Sequence, residues 1–156
     1  MIPRVGLGFD VHPFSADEER PLVLGGVTVA GPGLAGHSDA DAVAHAVADA
    51  LLGAAGLGDI GSHFPDDDPA YAGVNSMDLL GRVVLTVSTQ YQIGNVDVTV
   101  ILEAPKLAPY REEMQGRLAA VVGAPVSVKA KRAEALGALG RREGIACLAV
   151  ALLTPR

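Results

Sequence analysis

Only one cysteine, Cys147, occurs in 156 residues, so no disulfide within the chain is possible. Its place inside an apolar run reads as a packed thiol in a reducing compartment rather than a nucleophile. Long apolar runs are also missing. The longest, Ile145 to Leu153, falls far short of the ~18 residues that a membrane span needs. The N-terminus, Met1 Ile2 Pro3 Arg4 Val5, enters a strand pattern at once and offers no charged region followed by an apolar signal segment. These absences predict a soluble, cytoplasmic protein. A basic stripe is lacking too: twelve Lys and Arg stand against eighteen Asp and Glu, a net charge of −6. Lys129 to Arg132 and Arg141 Arg142 are the only basic clusters, which argues against a nucleic-acid backbone binder. An acidic chain that handles phosphates needs metal ions as intermediaries. With neither repeats nor linkers, residues 1–156 read as one domain, long enough to bury a core without staples.

The richest stretch runs from Gly36 to Asp49, where ionisable residues interrupt an Ala/Val pattern. His37, Asp41, His45 and Asp49 recur at i, i+4 and share one face if the whole stretch is helical. Ser38 with Asp41 three residues on has the form of a capping box, which predicts a helix start at Ser38. Val43, Ala46, Val47, Ala50, Leu51 and Ala54 then form the core-facing stripe, and Gly53 and Gly56 mark the end. The unpaired N–H groups of such a helix start make the backbone around His37 and Ser38 a ready phosphate site.

Between Arg4 and His12, Val5, Leu7, Phe9 and Val11 alternate on one strand face, while Asp10 and His12 share the other with Gly6 and Gly8. Side chains at i and i+2 lie about 7 Å apart on the same side, so Asp10 and His12 can reach one ion beyond the strand end. Leu22 to Val29 around Gly25 Gly26 reads as a short hairpin. Gly56 to Pro69 reads as a long surface loop, of a length that is often functional. Helices are predicted from an Asn75 cap to about Thr89 and from about Tyr110 to Val122. Strands are predicted at Asn95 to Leu102, Val126 to Ala130 and Ile145 to Leu153, with a short helical or irregular link from Glu134 to Gly140. This interleaved order predicts an α+β layered domain, a mixed sheet with helices on one face.

Asp10, His12 and His45 are ligand types suited to zinc, and three protein ligands leave the fourth position open, as catalysis requires. The plain alternative is a histidine at a strand end, another on a polar helix face and an aspartate paired with a nearby cation. Spacing alone leaves both open. Asp59, flanked by Gly58 and Gly61 that let a ligand approach, reads as a hydroxyl or ion ligand, whereas Asp66, Asp67 and Asp68 also fit solvated loop acids. Lys129, Lys131 and Arg132 fit either a phosphate site, with Glu134 holding a magnesium ion, or a solvated strand end.

Taken together these stretches closely resemble the 2-C-methyl-D-erythritol 2,4-cyclodiphosphate synthase family. The matching segments are GFDVH at 8 to 12, LGG at 24 to 26, GHSDADAVAHAVADALLGAAGLGDIGSHFPDDDP at 36 to 69, GNVDVTVILEAPKLAP at 94 to 109 and GRREGIAC at 140 to 147. The resemblance implies zinc on Asp10, His12 and His45, and magnesium or manganese on Glu134. It implies substrate contacts along Asp10, Val11 and His12, phosphate at His37 and Ser38, and methylerythritol hydroxyls at Asp59, beside Ile60 and Gly61. The segment Phe64, Pro65, Asp66, Asp67, Asp68 would close over that end. Pro105, Lys106, Leu107 and Ala108, with Ala130, Lys131 and Arg132, would form a cytidine diphosphate pocket supplied by a neighbouring subunit.

The implied assembly is a homotrimer around a central channel that can hold an isoprenoid diphosphate, with Ala138 in its lining and Arg141 and Glu143 at its mouth. The implied reaction releases CMP without a side-chain nucleophile, and His37, Asp59 and Arg132 are its expected catalytic residues. A non-catalytic trimer that binds isoprenoid diphosphate or nucleotide is the alternative, and a zinc phosphohydrolase is another. The chain departs from the family pattern at four places. Lys131 Arg132 Ala133 replaces a threonine-rich run, Ala138 an aromatic and Arg142 a glycine. Ala40, read as helical, replaces a common glycine.

Overall fold

A computed structural model describes residues 1–156. Its spine is the apolar C-terminal strand, which the rest of a four-stranded sheet flanks. The elements in order are β1 (Arg4–Pro13), β2 (Leu22–Leu24), β3 (Val27–Val29), α1 (Ala42–Ala55), α2 (Ile60–His63), α3 (Ser76–Val87), β4 (Tyr91–Ile101), α4 (Arg111–Val122), β5 (Val126–Lys131), α5 (Gly137–Gly140) and β6 (Gly144–Pro155). The sheet order is β1-β6-β4-β5, with β6 antiparallel to both neighbours and β4 parallel to β5 through the α4 crossover. It is the mixed sheet that the element order predicts, and β2 and β3 make the separate hairpin.

Beta-strand 1 is oriented by its glycines. A Cβ on Gly6 would lie 2.0 Å from the Ala50 carbonyl oxygen and one on Gly8 1.9 Å from that of Ala46. Helix α1 can therefore lie on the Gly6/Gly8 face, which also carries Asp10 and His12. Val5, Leu7, Phe9 and Val11 are consequently turned outward and exposed. In the register of β1 with β6, Val5 faces Leu152, Leu7 faces Val150 and Phe9 faces Leu148. One half of the outer sheet face is thus apolar and uncovered.

The predicted start of α1 is wrong by four residues. Ala40 has φ 57°, in the left-handed region, and the helix begins at Ala42 with Asp41 as its N-cap. Residue 40 is not helical, so alanine there carries backbone strain that glycine would avoid. Ser38 to Asp41 is not a first helical turn, and His37 and Asp41 leave the row that the spacing suggested. Only His45 and Asp49 stand one turn apart on the helix.

Asp41 is instead fully buried, 0 % exposed. Its carboxylate accepts from the Ala44 N–H at 3.0 Å and from the Gly25 and Gly26 N–H groups at 2.8 Å each. One side chain thus caps α1 and welds the hairpin to it. Burial pushes the carboxyl pKa up, against the three N–H donors that favour the ion. The helix ends as predicted at Gly56, φ 74°, whose N–H returns to the Gly53 carbonyl at 3.1 Å. It lies buried on nearly every side between sheet and α3, wider than the single stripe read from its sequence.

Within the expected loop from Gly56 to Pro69, Asp59 and Asp68 each cap a single turn, α2 and the 3₁₀ turn Pro69–Tyr71. The later helices fall close to expectation, α3 capped by Asn75 and α4 closed by Gly123. Beta-strand 4 begins four residues earlier than expected, at Tyr91, across an irregularity between Ile93 and Asn95.

Candidate active site

The end of β1 and the first turns of α1 bring Asp10, His12 and His45 together. His12 Nε2 lies 2.7 Å and His45 Nδ1 3.1 Å from Asp10 Oδ2, and the two nitrogens are 3.4 Å apart. A tetrahedral zinc with ligand bonds of ~2.0–2.1 Å sets its donors ~3.4 Å from one another, so this donor set fits the ion. The outer nitrogens are engaged as a ligand pair needs. His12 Nδ1–H donates to the Ala35 carbonyl at 2.9 Å, and His45 Nε2–H donates to Ser76 Oγ at 2.7 Å. The Ser76 hydroxyl donates in turn to the Asp39 carboxylate. These bonds orient both rings so that His12 Nε2 and His45 Nδ1 face Asp10, each at a position where a metal would replace a proton.

Electrostatics bind the set together. Burial pushes Asp10 up, but the hydrogen bonds from His12 and His45 outweigh it and hold the carboxyl below its usual value. Burial pushes His12 down, and Asp10 outweighs that, leaving the imidazole above its ordinary pKa of 6.5. A metal must displace the His12 proton. Zinc affinity is therefore expected to fall at least about tenfold per pH unit below the raised His12 pKa and to level off above it. Competitive zinc titrations between pH 5.5 and 8 measure this, and a flat profile would contradict the coupling. Ser76→Ala removes the His45 orienting partner and is expected to weaken zinc binding by about 10–100-fold with the fold intact.

Beside the triad is a cavity of about 420 Å³ lined by His12, His37, Ser38, His45, Ile60, Gly61, Phe64 and Asp66, among others. The backbone there is not a helix start, because Asp41 itself takes the Ala44 N–H. His37 and Ser38 line it beside Gly36, and Ser38 Oγ also lies 3.2 Å from His45 Nε2. His37 Nε2 donates to the Asp68 carbonyl at 3.0 Å, and the Gly73 N–H donates to the His37 carbonyl at 2.8 Å, tying the 64–73 segment over this end. Asp59 is turned into its own turn, accepting from the Ser62 N–H at 2.8 Å and Oγ at 2.7 Å. Those bonds hold its carboxyl below the usual value. Pro65, Asp67, Asp68 and Asp59 are not among the lining residues. The Val11 side chain lies on the opposite, outer face of the sheet.

Across the same end of the sheet is a second cavity of about 530 Å³. Pro105, Lys106, Leu107, Ala108, Ala130, Lys131 and Arg132 all line it, together with Glu103, Arg111 and Arg142, which the sequence reading had not assigned there. Arg142 has φ 61°, explaining the family's glycine, and lies at this cavity. The Arg132 guanidinium is held by Glu103 at 2.8 Å, which raises the Arg132 pKa and lowers that of Glu103. Glu134 is exposed, with φ 53°. Ala138 is exposed in α5, and Arg141 pairs with Glu143 at 2.6 Å. Lys129 pairs with Asp97 at 2.6 Å and is not part of the lining.

His12 pairs with Ile145, and Lys131 with Ile101, itself opposite Ala146. Triad and cationic cavity therefore occupy opposite edges of one sheet end, three strand spacings or about 14 Å apart.

The model of the YgbB family matches residues 3–154. The chain belongs to the YgbB family. Among YgbB relatives, the 2-C-methyl-D-erythritol 2,4-cyclodiphosphate synthase of Symbiobacterium thermophilum is 54 % identical over 157 residues, covering 97 % of this chain and 99 % of the relative. The bifunctional IspDF of Campylobacter jejuni superposes with a TM-score of 0.94 at 41 % identity, covering 99 % of this chain and 43 % of the other. An IspF of Plasmodium falciparum, in complex with CDP, has a TM-score of 0.86 at 36 % identity, covering 99 % and 97 %. The YgbB chain described here has the mixed α+β fold of the Plasmodium falciparum protein along nearly the whole of both chains, and none of its helices is long and apolar enough to cross a membrane.

Proposed function

We propose that this chain converts 4-diphosphocytidyl-2-C-methyl-D-erythritol 2-phosphate to 2-C-methyl-D-erythritol 2,4-cyclodiphosphate and CMP, a step of non-mevalonate isoprenoid precursor synthesis. It is a metal-dependent phosphorus–oxygen lyase. The observation that carries this is the convergence of Asp10, His12 and His45 on one point beside a cavity, at the sheet end that also bears the cation-lined cavity.

An oxygen of the 2-phosphate attacks the β-phosphorus, the bond from that phosphorus to the bridging oxygen breaks, and CMP carries the bridging oxygen away. Since the nucleophile belongs to the substrate, the chain contributes position and charge. Asp10, His12 and His45 would hold zinc, and Glu134 magnesium or manganese; such ions neutralise phosphate charge and polarise the phosphoryl oxygens. His37 and Ser38 hold phosphate beside the triad. Asp59 and its turn meet the methylerythritol hydroxyls, and the segment from Phe64 to Asp68 excludes water from that end. Lys106, Lys131 and Arg132 hold the cytidine diphosphate, Arg132 where the family usually has a hydroxyl.

The apolar outer face of β1 and β6 supports assembly of copies. The chain works as a homotrimer in the cytoplasm, each triad facing a neighbour's nucleotide cavity across the subunit boundary. Arg141 and Glu143 lie at the mouth of the resulting channel, which takes an isoprenoid diphosphate.

Phosphorus NMR of the zinc-loaded protein with this substrate and magnesium tests the reaction. Joint appearance of CMP and a cyclic diphosphate is expected. Unchanged substrate would sink the reading in favour of a ligand-binding trimer, and release of inorganic phosphate would point to a phosphohydrolase.

A further inference from the structure

Glu103 follows β4, and its side chain is only 3 % exposed although it lines the cationic cavity. It is the sole acid in that lining, among Lys106, Arg111, Lys131, Arg132 and Arg142. Both its oxygens are committed to one loop. Oε2 accepts from Arg132 Nε at 3.2 Å and Nη2 at 2.8 Å, and Oε1 accepts from the Ala133 N–H at 2.7 Å and the Ala135 N–H at 3.4 Å. This loop needs an anchor. Glu134 and Ala135 have φ of 53° and 60°, consecutive left-handed residues without glycine, a conformation that L side chains rarely adopt.

We propose that Glu103 is a positioning residue for the nucleotide phosphates, holding the Arg132–Ala135 loop in its left-handed turn and presenting the Arg132 guanidinium to the cavity. The inference rests on the reading of that cavity as the cytidine diphosphate pocket. Two donors on one edge of the guanidinium, Nε and Nη2, meet Glu103 Oε2, while Nη1 has no hydrogen-bond partner in the chain. Arg132 is thereby oriented without being used up, and its free edge meets a phosphate oxygen with less rotamer freedom left to lose. An unpaired arginine of this length would sample the solvent instead. The same carboxylate sets the backbone on both sides of Glu134, and so the direction from which that side chain approaches the diphosphate.

Glu103→Gln separates these effects. Its single carbonyl oxygen can still accept from the loop N–H groups, whereas its amide –NH₂ opposes the guanidinium donors. The experiment is calorimetric titration of the full chain with CDP and magnesium, for wild type, E103A, E103Q, R132A and the E103Q/R132A double variant. E103A is expected to weaken CDP binding at least about tenfold and E103Q about threefold. R132A is expected to cost about fivefold in the wild-type background and under about twofold in E103Q, because the second change removes a contact already lost. Zinc content should be unchanged throughout. If E103A does not fold, E103Q and the double variant carry the test alone. Wild-type affinity in E103Q, or additive losses in the double variant, would overturn the proposal while leaving the pocket in place. A wild-type chain that binds no CDP would overturn the reading of the pocket and this inference with it.

Discussion

Replacing His45 with alanine is expected to lower turnover at least about a thousandfold, since several kcal/mol of phosphate charge stabilisation depend on a held ion. His45 supplies one of the three converging donors and is itself oriented by Ser76. Asp10 and His12 would remain 2.7 Å apart but pair only with each other, and two ligands do not retain zinc against dilution. The fold should persist, because the His45 ring faces the cavity while the Ala and Val residues around it form the core. Zinc content by atomic absorption and turnover by CMP release are the paired measurements. A zinc-free H45A with turnover within tenfold of wild type would refute the metal's role.

The second large effect is on stability. Asp41→Ala is expected to cost about 4 kcal/mol, from two buried N–H groups and one half-buried one left without an acceptor at ~1–3 kcal/mol each, part of which water recovers, and from loss of a helix cap. That is a large share of the ~5–15 kcal/mol by which a domain of this kind is stable. Asp41→Asn keeps one acceptor oxygen where two now serve three donors, so it should lose about half as much. Urea unfolding followed by circular dichroism measures both. An alanine variant within 1 kcal/mol of wild type would show that the hairpin and helix do not depend on this carboxylate.

The same residue shows where reading from sequence fails. Ser38 and Asp41 satisfy a local capping pattern, but the acceptor that wins is decided by Gly25 and Gly26 of the hairpin, more than a dozen residues upstream. Periodicity finds Asp10 and His12 because a strand fixes i and i+2 on one side, and it identifies the glycines that admit α1. It places His45 on a helix, and only packing of that helix over Gly6 and Gly8 joins it to the other two. Ser76 and Asp39 carry no signal of their own, since each serves the triad through a contact across the chain. Glu103 was invisible for the same reason: a lone glutamate after a strand acquires its task only when β5 lies beside β4. The cationic cavity was legible only as scattered Pro, Lys and Arg residues, which the family resemblance joined.

Cys147 gives the molecule its own clock. It lies on the interior strand β6, between Asp10 of β1 and Val100 of β4, with no exposed surface. Burial, then the charges of Asp41 and Asp10, push its thiol far above the usual range, so the thiolate that reacts with labelling reagents is suppressed. A reagent reaches that sulfur only when β6 parts from a neighbour or from α1, which means opening the core itself. The labelling rate of this single thiol therefore counts openings of the core around β6, and ligands that hold this part of the domain closed will slow it.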